Sequence, residues 1–366
     1  MSSVHTAFDT RIFHREATSL VGAGYDVTLI AQHEKNEVVN GVKIVALSKP
    51  KNRLRRMMGL CKVFRLAVKQ NADVYHFHDP ELIPIAVLLK LATRKRIIYD
   101  IHEDVPKQIL TKEWLPRYLR GPVSRITAFF ETITFPVFNA VVVAGDDIAQ
   151  HLPRSPKLVV VGNYAPTEIV RRIEALKVGI EDLPILIYAG ELATDRCVRE
   201  LVQAANFLQR RAKLVLLGSF SEPLFEKEIR AIAGSNVEFV GQVSYEAVLS
   251  YLARANIGLA LFHPSPNSTE ASQRNRKLYE YMAAGLPVIT SNFPSWQEIV
   301  ERNNCGLTVN PLDPAEIARA IKYLISHPEE AKRMGENGRK AVLEKYNWET
   351  ESKKLLNVYA NLMKGV

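Results

Sequence analysis

The chain has 366 residues, 47% hydrophobic and 24% charged, the composition of a folded globular protein but too long for one ordinary core. Its formal net charge is +9 at pH 7, no uncharged apolar run approaches the ~20 residues that cross a bilayer, and no charged-then-apolar leader opens it. The cysteines, Cys61, Cys197 and Cys305, form no C-x-x-C pair, which argues against a zinc or disulfide framework and for a reducing cytoplasm.

In chain order, a helical pattern over 11–24 precedes short Val- and Ile-rich runs at 26–31, 42–47, 74–78, 97–101, 140–144 and 158–161. These runs show little polar alternation, as expected of parallel strands covered on both faces. The second half repeats the scheme with strands at 185–189, 214–217, 237–240, 257–262, 288–290 and 307–309, and helices between them, as at 198–208 and 245–253. Two successive arrays of this kind predict an α/β protein of two doubly wound, Rossmann-like domains. Residues 1–165 form the first, the proline-bracketed stretch 166–184 the linker, 185–346 the second, and 347–366 a terminal helix.

Charge is unevenly placed: residues 1–165 hold 23 Lys+Arg against 15 Asp+Glu, the rest 25 against 24. The excess peaks at Lys49, Lys51, Arg53, Arg55, Arg56, Lys62, Arg65 and Lys69, interleaved with Leu54, Met57, Met58, Phe64 and Val68 at near-helical intervals. Such a helix fits an anionic membrane surface, or packs its apolar stripe on a sheet with its charges in water. The two are compatible. No nucleic-acid-binding pattern accompanies the charge, so nucleic acid is not expected as a partner.

In open α/β sheets ligands gather at the C-terminal strand ends. Residues 75–81 place His78, Asp79 and Glu81 at one such end, and 99–104 place His102 at another. Histidine and aspartate are metal ligands, but no H-x-x-x-H or cysteine partner accompanies them, so no metal is expected. Each histidine could equally be satisfied by neighbouring backbone. In the second half, Gly190 and then Arg196 come after the first strand, where glycine admits a close ligand and a cation at a helix start suits phosphate. Gly241 and Val243 come after the strand at 237–240. The most telling run is 275–289, N-R-K-L-Y-E-Y-M-A-A-G-L-P-V-I, a helix that closes on Gly285 before Pro287 and a buried strand. Lys277 and Glu280, three apart, share one face: a cation for phosphate and a carboxylate for sugar hydroxyls together describe a nucleotide. The plainer alternative is a solvated Lys and Glu on an amphipathic helix.

The run 275–289 resembles the donor-site helix of retaining glycosyltransferases of family 4, which have the GT-B fold, and the resemblance extends from Phe8 to the last helix. It implies two Rossmann-like domains facing a cleft, acceptor side first and nucleotide-sugar donor side second, with the last helix crossing back onto the N-terminal domain. Carried over residue by residue, His102, Arg196 and Lys277 take the catalytic roles. Gly190, Gly241, Val243, Ser272, Gln273, Asn275, Leu278 and Glu280 bind the donor, and Asp9, Arg11, His78 and Asp79 lie on the acceptor side. Three departures stand out. Cys197 replaces a family glycine, and Ser272 stands where many relatives carry the first glutamate of E-x7-E, with Glu270 out of register. The segment from Phe8 resembles the stretch that family members carry just after their first strand, so about ten residues of a normally central strand are expected to be missing. Truncation is the favoured explanation.

The resemblance further implies sugar transfer, with retention, from a nucleotide-diphosphate donor to a hydroxyl of a glycan or polyprenyl-linked acceptor. The leaving phosphate would help remove the acceptor proton in a front-face displacement. No cofactor or metal is expected, and UDP is placed ahead of GDP or ADP. The implied setting is cell-envelope or exopolysaccharide synthesis at the inner face of the cytoplasmic membrane. Alternatives are a GT-B nucleotide-sugar epimerase, or a non-catalytic nucleotide-binding scaffold.

Overall fold

The computed structural model describes residues 1–50, 52–112, 115–176 and 183–364, without the side chains of residues 53, 54 and 273. The chain divides into two compact units, Met1–Asn163 with Trp348–Val366, and Tyr164–Asn347.

The second unit has strands β8 Ile185–Ala189, β9 Lys213–Leu217, β10 Val237–Gly241, β11 Ile257–Ala260, β12 Val288–Ser291 and β13 Gly306–Val309. They form one parallel sheet in the order β10-β9-β8-β11-β12-β13. β8, β11 and β12 are almost wholly buried, which is why they read as unbroken apolar runs. Strand order reverses beside β8, and the crevice at such a switch point is where ligands bind in doubly wound sheets. Part of the expected linker belongs to this unit: Ile169, Val170 and Ile173 of the helix Glu168–Ala175 are buried in its core. Their spacing makes one apolar stripe, which wins over the proline punctuation. Residues 177–182 of that linker lie outside the described residues.

The first unit has strands β1 Thr28–Gln32, β2 Glu37–Val39, β3 Val42–Leu47, β4 Val74–Phe77, β5 Arg96–Ile101, β6 Ala140–Val143 and β7 Leu158–Val160. They form two ladders, β1-β3-β2 and β4-β5-β6-β7, parallel except for β2 against β3. β2 was not among the expected strands. Its turn is Asn40-Gly41, both at positive φ (50° and 78°), the residue pair that a tight hairpin of this twist selects. Between β1 and β4 stands only the start of the chain. Met1 donates its amine to His76 O and accepts from His78 N–H, while Ser2 N–H bonds Ile30 O. The sheet of this unit is thus broken between β1 and β4.

The basic stretch forms the helix Arg53–Gln70, capped by Asn52, whose side chain accepts from Arg55 N–H, and ended by Asn71 at φ 46°. Leu60, Val63 and Ala67 are buried against the sheet, while Met57 and Met58 are 51% and 71% exposed. The last helix, Trp348–Met363, closes this unit: Trp348, Leu355, Val358 and Tyr359 pack with Leu20, Ile98 and Val142. Trp348 Nε1–H bonds Ser19 Oγ at 2.8 Å.

Candidate functional site

At the switch point of the second unit, β8 ends in Tyr188-Ala189-Gly190 and β11 runs on into Phe262. Ala189 N–H is held by the Tyr281 hydroxyl at 2.8 Å and Gly190 N–H by Leu217 O, which fixes the strand end. The helix Arg276–Ala284 starts here, its Asn275 cap accepting from Leu278 N–H at 3.2 Å, and stops at Gly285, φ 74°. From its first turn Lys277 reaches back over the aromatic wall: its Nζ lies 3.9 Å from the centre of the Tyr188 ring and 5.4 Å from that of Phe262. A Cβ on Gly190 (φ 149°) would stand 2.9 Å from that Nζ and would have to push the lysine end aside, and the backbone conformation itself favours glycine.

Arg196 approaches from the other side, its guanidinium 4.6 Å from the Phe262 ring centre, in a short turn leading into the helix Val198–Leu208. The intervening Cys197 has φ 54°, a left-handed conformation that glycine adopts more readily. Burial, and then the neighbouring Arg196, push the Lys277 amine well below its ordinary pKa. Among the described residues no carboxylate lies within ion-pair distance of it. Lys277 and Arg196, the latter's side chain 34% exposed, thus flank one site, where among the described residues Arg196 has one weak tie to a carboxylate, Asp195 at 3.6 Å. Such a site is completed by an anion.

Glu280 is buried, and its Oε1 accepts from the Tyr245 hydroxyl at 3.1 Å and pairs with Arg276 Nε at 2.9 Å. Oε2 takes part in neither contact. Sequence spacing missed Tyr245 and Arg276; the i,i+4 spacing of Arg276 and Glu280 was a usable signal, whereas Tyr245 comes from a distant helix. Gly241 (φ 83°) ends β10 and its carbonyl accepts from Gly218 N–H at 2.8 Å. Val243 packs at the edge of the core next to the Ser244 cap of Tyr245's helix. Ser272 is buried in the turn Ala271–Arg274, its carbonyl accepting from Asn275 N–H. The Gln273 side chain lies outside the described residues. Leu278 is fully buried and its N–H is taken by Asn275, so its contribution is to packing and to the cap.

In the first unit, the ends of β4 and β5 gather a second cluster. His102 Nε2 lies 3.3 Å from Asp100 and 3.0 Å from His78 Nδ1. His76 Nδ1 meets the Tyr359 hydroxyl at 2.9 Å and its Nε2 faces Asp100 at 3.5 Å. Arg11 is buried beneath them: it donates to Val161 O and Asp100 and pairs with Glu16 at 2.7 Å. Arg11 and Glu16 meet because the helix starts with i→i+5 bonds, Glu16 N–H to Arg11 O among them, which set them one wide turn apart. Arg11, expected on the acceptor side, thus serves inside an ion-pair network. Asp79 is likewise occupied, accepting from the N–H groups of Ser3 and Val4 and the hydroxyls of Ser2 and Ser3. Asp9 caps its own turn through Arg11 and Ile12 N–H, and pairs with His5 at 3.3 Å.

Burial outweighs Asp100 in holding the His78 imidazole well below its ordinary pKa, so it is neutral at pH 7. Asp100 stays ionised against Arg11, while burial and the Asp100 charge raise Glu16 well above the carboxylate range. Asp100 and Glu16 escaped the sequence analysis, although Asp100 is the one charged residue inside the run 97–101. Ligand-type atoms of Glu16, His78, Asp100 and His102 lie within 4.8 Å of one another, as do those of Cys197, Glu200 and His263. In the first group Arg11 already supplies positive charge between the carboxylates; in the second His263 pairs with Glu200 at 3.0 Å.

A complete parallel sheet with an anion-seeking site at its switch point, in a chain that carries a second array of the same kind, defines the nucleotide-binding α/β class. Residues 155–341 match the model of glycosyl transferases group 1, and residues 10–168 that of glycosyltransferase family 4. The chain belongs to this family, the retaining glycosyltransferases of GT-B fold. It is 23% identical to an uncharacterized glycosyltransferase of Methanocaldococcus jannaschii, over 94% of this chain and 91% of that one. It is 26% identical to the alpha-D-kanosaminyltransferase of Streptomyces kanamyceticus, where the match spans about half of each protein (54% and 51%). Among solved structures, sucrose-phosphate synthase of Thermosynechococcus elongatus superposes with a TM-score of 0.77 at 20% identity, covering 96% of this chain and 92% of the other. Anabaena HepE in complex with UDP-glucose gives 0.69 at 15% identity, covering 88% and 87%. No helix among the described residues is long and apolar enough to cross a membrane.

Proposed function

We propose that the second unit binds a nucleoside diphosphate sugar, UDP-linked in the first instance, and that the protein transfers the sugar with retention to a hydroxyl of a glycan or lipid-linked acceptor in cell-envelope or exopolysaccharide synthesis. The observation that carries this is Lys277, a buried amine that has no carboxylate partner among the described residues, beside Arg196 and walled by Tyr188 and Phe262. A diphosphate supplies the missing negative charge. Preorganised cations then stabilise the charge that builds on the leaving phosphate as the glycosidic bond to the nucleotide breaks. Glu280, oriented by Arg276 and Tyr245, offers Oε2 to a ribose hydroxyl. Gly190, Gly241 and the segment from Ser272 to Asn275 present backbone and small polar groups to the sugar and the base. In the first unit His102, backed by Asp100 and His78, serves the acceptor side by orienting its hydroxyl.

A lipid-linked acceptor agrees with the surface of the first unit. The helix Arg117–Thr134 leaves Tyr118, Ile126, Phe129, Phe130 and Ile133 between 48% and 78% exposed, with Arg117, Arg120 and Arg125 among them. Together with the basic helix Arg53–Gln70, this fits the headgroup region of an anionic bilayer.

The test of the donor site is calorimetric titration with UDP, GDP and ADP. Saturable binding of one of them, lost in Lys277→Met while thermal unfolding is unchanged, supports the reading. Failure of the folded protein to bind any of the three removes it. For the membrane contact, Phe129→Ser with Phe130→Ser should cut sedimentation with vesicles containing anionic lipid; undiminished sedimentation discards that part.

A further inference from the structure

In the second unit, a thiol, a carboxylate and an imidazole meet where the helix Val198–Leu208 starts. Cys197 stands at the cap of that helix, and Glu200 lies three residues on, in its first turn. His263 reaches them from the segment beyond β11, directly after Phe262. Its Nε2 lies 3.0 Å from Glu200 Oε1. The Cys197 sulfur, a Glu200 oxygen and a His263 ring nitrogen all lie within 4.8 Å of one another. Cys197 is fully buried and Glu200 is 9% exposed.

The contact with His263 uses only one oxygen of Glu200. The other, Oε2, is buried and has no hydrogen-bond partner among the described residues. A buried carboxylate oxygen left in that state is costly, and a cation removes the cost. The backbone around the cluster is already fixed. Leu201 N–H bonds Cys197 O at 2.9 Å, and His263 N–H donates to Asp195 O at 2.9 Å. The His263 carbonyl accepts from Ser268 Oγ at 2.6 Å. The three side chains therefore start from a held frame.

We propose that Cys197, Glu200 and His263 form a binding site for one late first-row divalent cation, zinc in the first instance. A thiolate, an imidazole and a carboxylate are the ligands that zinc takes. With bonds of about 2.0–2.3 Å, a tetrahedral ion holds its ligand atoms roughly 3.3–3.6 Å apart, a spacing inside the 4.8 Å spread of the cluster. Forming the metal–sulfur bond sends the Cys197 thiol proton to solvent. Burial pushes that thiol up, and the three metal bonds have to exceed this cost. Water takes the fourth position on the side of His263, whose side chain is 26% exposed. One thiolate, one carboxylate and a neutral ring leave the occupied site without net charge, so it does not oppose an anion beside Arg196 and Lys277. Its effect is to tie the turn that carries Arg196 to the segment that carries Phe262, whose ring centre lies 4.6 Å from the Arg196 guanidinium. Sequence spacing concealed the site, because His263 lies 63 positions beyond Glu200.

The experiment is titration of the reduced, metal-free protein with cobalt(II), a spectroscopic stand-in for zinc. The expected result is saturation at about one equivalent, with a thiolate-to-cobalt charge-transfer band in the near ultraviolet that added zinc removes. The cluster of Glu16, His78, Asp100 and His102 contains no sulfur and cannot give that band. Cys197→Gly should keep the fold, since glycine adopts a φ of 54° readily, and lose the band. His263→Gln should weaken cobalt binding roughly tenfold or more. Cys61→Ser, at an exposed cysteine, should change nothing. Absence of the band from the folded, reduced protein at saturating cobalt overturns the proposal, and so does unchanged affinity in His263→Gln. A band that persists in Cys197→Gly, or vanishes in Cys61→Ser, marks an adventitious ion only and overturns it as well.

Discussion

Lys277 has a property open to measurement beyond affinity. Its amine is held low in the free protein by burial and Arg196, and a diphosphate raises it again. At a pH between its free and bound pKa, nucleotide binding therefore takes up protons, seen as a binding enthalpy that changes with the ionisation heat of the buffer. Lys277→Met abolishes the uptake and weakens binding roughly 100-fold, the scale of losing a charge-assisted contact in a dry site. Glu131 gives a separate pH test in the first unit. Its carboxyl is pushed by burial from 4.5 to about 7, although it accepts a hydrogen bond from Tyr99. Because its folded pKa is raised, the protonated group favours the fold below about pH 4.5, and that advantage is lost as pH rises through about 7. Glu131→Gln should therefore add about 3 kcal/mol at pH 8 and close to nothing at pH 4.5, by denaturant titration at both pH values. Asp100 shows what a residue-level reading can find: one acid inside a run buried on both faces has to be paired. Its partner Arg11 lies 89 positions away, and no local spacing announces it.

At the scale of elements, the helix Arg276–Ala284 joins stability to binding through its cap. Asn275→Ala removes the acceptor for Leu278 N–H and costs about 1 kcal/mol in thermal or denaturant unfolding. It also loosens the turn from which Lys277 projects, so nucleotide affinity should fall along with stability; intact affinity would separate the cap from the site. This helix was legible because cap, face and stop signals agree within fifteen residues. The buried strands were legible for the same reason: a run such as Ala140–Val143 has one conformation in which all its side chains are covered. β2 was not, since a strand of three residues at a sheet edge carries no periodicity, and only Asn40-Gly41 marks it. The boundary helix Glu168–Ala175 was hidden by flanking prolines, which signal a turn but say nothing of the residues between them. The tie between Tyr245 and Glu280 joins two helices, and its information lies in packing alone.

At the scale of the whole molecule, the first unit is built from both ends of the chain. Glu351 accepts from Gly162 N–H at 2.7 Å, Tyr359 meets His76, and Trp348 meets Ser19. Deleting residues from 348 onward exposes Leu20, Ile98 and Val142 and should destabilise the first unit by about 5 kcal/mol or more. The contiguous second unit should then keep its nucleotide titration, whereas loss of binding together with the first unit's transition would show the two to be one cooperative block. The same arrangement sets an order of events on the ribosome. Residues 1–163 emerge first but wait for their closing helix, while 164–347 are made whole behind them. At about 5–20 residues per second, those 184 residues take roughly 10–40 s, during which the earlier half stands with the Leu20, Ile98 and Val142 face uncovered. The half synthesised first is thus the last to be finished, and for that interval it is the part of the nascent chain most in need of a chaperone.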